Sequence, residues 1–62
     1  MVNFIYIGQP TAGKNTRDIK LPLNNGSFNI VDNVEPNVTV IETVDDKSIE
    51  FMRKGKSFQE QE

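Results

Sequence analysis

Asp18-Ile19-Lys20-Leu21-Pro22-Leu23-Asn24-Asn25-Gly26-Ser27-Phe28-Asn29-Ile30-Val31 decides the fold of this chain. Ile19, Leu21 and Leu23 alternate with Asp18 and Lys20, the period of a strand with one buried face. Asn25-Gly26 is the strongest short hairpin signal, because the central positions of a type I′ turn take positive φ. The alternation resumes over 27–31, with Phe28 and Ile30 read as inward. Residues 18–31 therefore read as a β-hairpin. Pro22 has no N–H to give to a ladder, so its strand lies at an edge or ends there.

Outward from the hairpin, the remaining segments continue the β pattern. Residues 2–7 are dense in β-branched and aromatic side chains, with Val2, Phe4 and Tyr6 on one face and Ile5 and Ile7 on the other. Apolar residues on both faces predict a largely buried strand. Gly8 to Thr16, with two Gly, a Pro and two Thr, reads as a loop. Asp32-Asn33 and Glu35-Pro36-Asn37 bracket a second turn, and 38–44 form the next strand. There Val38, Val40 and Val44 share a face with Glu42. Either a twist or bulge intervenes, or Ile41 is the inward residue. The helix is expected over 45–54. Asp45 or Asp46 caps its first turn, Ile49 and Met52 face a sheet, and Phe51 lies at the edge of that line. Arg53 and Lys54 occupy the last turn, and Gly55 takes the left-handed position beyond it. Phe58 folds back on the helix. The expected fold is mainly β: a small, partly open SH3-like barrel or curled antiparallel sheet of about four strands with one short C-terminal helix. A single domain spans 1–58, and 59–62 form a frayed tail.

Size and composition narrow the chemistry. The chain has 62 residues, no Cys and no His. A domain of this length buries only about 60% of its unfolded surface, and neither a disulfide nor a thiolate–imidazole zinc site can supplement it. General-base or nucleophilic catalysis near neutral pH lacks its usual side chains, so the chain reads as no enzyme and no cofactor is expected. Asp32, Glu35, Asp45 and Asp46 read as turn and cap residues, too few in any one loop for calcium. With 7 basic and 9 acidic residues the net charge is -2, which makes nucleic acid an unlikely partner. No apolar stretch approaches the length of a membrane span. The start, Met1-Val2-Asn3, lacks the basic region of a signal peptide, so Asn25-Gly26-Ser27 and Asn37-Val38-Thr39 are read as accidental matches to the glycosylation pattern.

One motif invites a sharper function. Gly8-Gln9-Pro10-Thr11-Ala12-Gly13-Lys14-Asn15 follows an apolar strand, as a phosphate-binding loop would, but with Asn15 where a magnesium-binding Ser or Thr belongs. That chemistry also needs a helix next, its N-terminus aimed at the phosphate. Residues 16–23 alternate like a strand instead, so the segment reads as a turn region and phosphate binding as a remote alternative. Lys14, Arg17 and Lys20 with Tyr6 form a second candidate, a basic patch with one stacking ring for single-stranded nucleic acid. A protein interface fits the chain better: a Pro-marked edge, an Ile-rich first strand and a small core. The interface candidates are Phe4, Tyr6, Gln9, Pro10, Thr11, Lys14, Arg17, Pro22 and Ile41. The first strand and 38–44 are the edges expected to accept a partner strand.

The stretch from Val38-Thr39-Val40-Ile41-Glu42-Thr43-Val44 through Asp45-Asp46-Lys47-Ser48-Ile49 to Gly55 and Phe58 resembles small accessory domains of tailed-bacteriophage structural gene clusters. These end in a strand, an acidic cap, a short helix carrying Leu or Met, then Gly and an apolar residue, after an upstream hairpin. The resemblance covers about the last third of the chain. It implies a structural role in a virion, as a piece or decoration of capsid, connector or tail, assembled in the host cytoplasm. Viral structural proteins are the implied partners, and a homo-oligomer is a possibility. It also implies that Val40, Val44, Ile49, Met52 and Phe58 serve the fold. No functional residue transfers.

Overall fold

The computed structural model describes residues 1–61. Five strands and one helix follow in the order β1 (Val2–Tyr6), β2 (Arg17–Pro22), β3 (Phe28–Val34), β4 (Val40–Thr43), α1 (Asp46–Lys54) and β5 (Phe58–Gln61). The fold is mainly β and open. An antiparallel sheet in the order β4-β1-β5 faces the β2-β3 hairpin. Phe4, Tyr6 and Ile41 come from the first sheet, Ile19, Leu21 and Val34 from the hairpin, and Met52 from the helix. Together they form one core. Of the two readings of residues 38–44, inward Ile41 is correct: it is buried, whereas Val38, Val40 and Val44 are exposed.

The hairpin forms where the sequence places it, but through a different turn. Gly26 N–H donates to the Leu23 carbonyl and Leu23 N–H to the Ser27 carbonyl. Only Gly26 of the turn residues has positive φ, +89°. A type I′ turn would require it at Asn25 as well, so the loop is the three-residue kind that closes on a left-handed Gly. Asn25 Oδ1 accepts from Ser27 N–H at 3.0 Å and from its hydroxyl at 2.6 Å, holding the turn shut. This choice sets the register Lys20↔Ile30, Leu21↔Asn29, Pro22↔Phe28. A two-residue Asn25-Gly26 loop would slip the pairing by one residue and set Phe28 and Ile30 beside the leucines. As it is, both share the outer face with Lys20 and Pro22, and both are exposed. The expectation that they point inward is overturned.

A bulge corrects the phase further along β3. Between Ile19↔Val31 and Arg17↔Val34, β3 advances by one residue more than β2. Asn33 takes φ +55° there, and its N–H donates to Asp18 Oδ1 at 3.0 Å. The extra residue rotates Val34 to the inner face, where it is fully buried. Asp32-Asn33, expected in a turn, thus belong to the strand. Glu35–Thr39 make the turn, through bonds from the Val38 and Thr39 amides to the Glu35 carbonyl.

Two further expectations change. β1 is the centre of its sheet, paired with β4 and β5, and so offers no free edge; β4 does. Gln59–Gln61, expected to fray, pair with β1 from Ile5 to Asn3, and Glu62 lies outside the described residues. Phe58 opens that strand and packs on Tyr6 and Phe51, at centroid separations of 5.4 and 6.1 Å. Gly55 is extended (φ -74°, ψ 138°) rather than left-handed. It leads the chain straight into β5, and a Cβ there would meet the Phe58 ring at 3.2 Å.

Candidate functional site

The end of the hairpin is bolted to the start of the helix. Asp45 flanks α1 but makes no side-chain cap of its own. Its Oδ2 instead accepts from Asn24 N–H at 3.2 Å, while Asn24 Oδ1 accepts from Lys47 N–H at 3.0 Å. The turn therefore supplies the cap that the helix lacks, satisfying one of its free first-turn amides. One turn on, the fully buried Ser48 donates its hydroxyl to the Pro22 carbonyl at 2.6 Å. Three hydrogen bonds thus hold Pro22 and Asn24 against 45–48, and they fix what lies outside them.

Outside lies an apolar face with a basic rim. Pro22 pairs with Phe28 in the ladder and also lines a groove of about 370 Å³ with Lys47, Glu50, Phe51 and Lys54. Phe28, Ile30 and Phe51 are 57%, 59% and 44% exposed, large values for side chains of their size in so small a chain. Lys20 Nζ sits 4.4 Å from the centroid of the Phe28 ring, a cation–π contact that also lays its stem along the strand. Lys54 holds Glu50 at 2.8 Å, a bond that with the nearby Lys54 and Lys47 charges keeps the Glu50 carboxyl below its ordinary value. At the far end of the same face the alternation sets Asp18 and Asp32. Ile7 and Val40 are also exposed, and Asn3 Oδ1 on β1 is buried without a hydrogen-bond partner.

The candidates read from the sequence divide into three groups. Phe4, Tyr6 and Ile41 are core residues with buried side chains. Gln9, Thr11 and Lys14 are exposed on the loop, Arg17 is exposed at the start of β2, and Pro10 is half-buried. Thr11 accepts from Lys14 N–H and donates to the Thr16 carbonyl, and Arg17 reaches the Pro10 carbonyl. Pro22 alone lies at the centre of the face just described. Phe28, Ile30, Phe51, Lys47 and Lys54 are not among the interface residues the sequence suggests; a three-residue turn, which pairs Phe28 with Pro22, is what puts the first two on the surface.

Neither sharper chemistry finds its frame. After Lys14 the chain enters strand β2, not a helix, so the loop lacks the helix end that a phosphate cradle uses. Tyr6 is buried, its hydroxyl donated to the Gln9 carbonyl at 2.6 Å, and presents no ring beside Lys14, Arg17 and Lys20. Among the described residues no three carboxylates converge as metal ligands would, and no helix is long and apolar enough to cross a membrane. No family model, curated protein or solved structure matches the chain.

Proposed function

We propose that this chain is a non-enzymatic protein-binding module that presents the Pro22–Phe28–Ile30–Phe51 face to a partner. One observation carries the reading: two of the five aromatic residues, Phe28 and Phe51, lie exposed, and Pro22 pairs with the first and lines a groove with the second. Exposed apolar surface rimmed by polar groups is the signature of an interaction site, and aromatic residues with a mixed rim are what protein interfaces concentrate. The face is also rigid before any partner arrives, since the Ser48, Asn24 and Asp45 bonds hold its two halves in place. Preorganisation of this kind reduces the cost of association. The resemblance to phage accessory domains supports a setting for it, a virion whose structural proteins supply the partner and whose assembly or stability the module assists.

Site-specific photo-crosslinking tests the reading. With a photoreactive side chain at Phe28 or Phe51, in particles assembled with the full chain, adducts to a structural protein are expected. The same probe at Lys14, on the exposed loop, serves as the comparison. Adducts from Lys14 alone would transfer the binding role to the loop, and adducts to nucleic acid from Phe28 would replace the reading altogether.

A further inference from the structure

The same face states the chemistry of its partner, an inference that rests on the protein-binding reading above. Lys47 and Lys54 line the groove with Pro22 and Phe51, Lys20 lies over the Phe28 ring that pairs with Pro22, and among the described residues Glu50 is the one carboxylate in the groove. Glu50 is already taken by Lys54, whereas Lys20 and Lys47 have no carboxylate partner among the described residues. The excess of positive charge is confined to the groove, where Lys47 and Lys54 stand against Glu50, on a chain of net charge -2; Asp18 and Asp32 offset it at the far end of the face.

We infer that the face receives an acidic, apolar peptide segment, with one large apolar side chain seated in the groove between Pro22 and Phe51 and carboxylates on either side meeting Lys20 and Lys47. A basic segment would bring like charges together, which complementary interfaces avoid. A purely apolar one would strip water from two ammonium groups and return nothing to them.

Selection of a random peptide library on the immobilised full chain provides the test, with binding measured at physiological salt. Enriched peptides are expected to carry an aromatic or large aliphatic residue within a few positions of two or more carboxylates. The Lys20→Glu/Lys47→Glu variant should weaken them by about tenfold or more, the scale of losing close charge pairs across an interface. Phe28→Ser/Phe51→Ser should weaken them too, with circular dichroism and urea unfolding confirming that both variants stay folded. Peptides that depend on Phe28 and Phe51 yet carry no carboxylates, or that ignore the charge reversal, would overturn this inference and leave the protein-binding reading standing. Absence of any peptide sensitive to Phe28 and Phe51, or an oligonucleotide that binds in their place, would overturn both.

Discussion

Tyr6 and Gly8 show how much rests on one missing methyl group. The Tyr6 ring lies in the core against Phe58, and its hydroxyl crosses to the Gln9 carbonyl, so the ring covers the backbone of Gly8. A Cβ at Gly8 would stand 2.5 Å from the Tyr6 oxygen and 2.7 Å from the carbon that bears it. Nothing at that distance can be accommodated without moving the ring. Gly8→Ala should therefore cost about 1–3 kcal/mol, the usual penalty of overpacking. Tyr6→Phe keeps the ring and deletes only the hydrogen bond, with an expected loss of about 1 kcal/mol. Urea unfolding of the two variants orders them. If Gly8→Ala proved the milder, the ring would be free to shift, and the packing argument would fail. Gly8 thus earns its place by close approach, whatever its likeness to the first glycine of a phosphate loop.

At the scale of elements, the turn and the helix start each complete the other. Asn24→Ala removes the acceptor for Lys47 N–H and should cost about 1 kcal/mol, as loss of an N-cap does. Asp45→Ala removes the acceptor for Asn24 N–H. Because the two bonds share Asn24, the double variant should lose less than the sum of the singles, by about 0.5 kcal/mol or more. Strict additivity in a double-mutant cycle would show that the contacts do not act as a unit. These contacts also mark the limit of what the sequence makes legible. Strand alternation, the Pro22 edge, the helix bounds and the return of Phe58 are local properties, and all of them appear in the structure. The outward turn of Phe28 and Ile30 is not local: it follows from a loop of three residues where two fit the same Asn-Gly signal, and one residue of slip exchanges the faces. Val34 likewise owes its burial to a bulge at Asn33 with no apolar pattern to announce it. β5 is a strand because β1 has a free side to pair with; Gln59-Glu60-Gln61 carries no period of its own. Of the candidate site, then, Pro22 and Lys20 could be singled out in advance, and the aromatic half could not.

Across the whole molecule, charge ties the last two elements together and gives stability an acid limit. Arg53 on α1 grips Glu60 on β5 with two bonds, 2.7 and 3.0 Å, and Lys54 holds Glu50 within the helix. Hydrogen bonding to Arg53 lowers the Glu60 carboxyl from its ordinary value of 4.5, and hydrogen bonding to Lys54 does the same for Glu50. A carboxylate whose pKa is lower in the folded chain contributes stability above its unfolded value and loses it as pH falls through the folded one. The Lys54 ammonium is raised by the same bond, so its share is present at neutral pH and is lost only as the solution becomes strongly alkaline. Both pairs are exposed and salt screens them, which makes the signature a dependence on pH and ionic strength rather than a large energy. The urea midpoint of the native chain should decline below about pH 4.5, and Glu60→Gln should decline less steeply because its side chain no longer takes up a proton. Raising salt from roughly 0.02 to 0.5 M should bring the two curves together. Parallel curves at low salt would mean that Arg53 and Glu60 do not hold β5 to the helix in solution. In that case the strand would stand on its backbone pairing with β1 and on Phe58 alone.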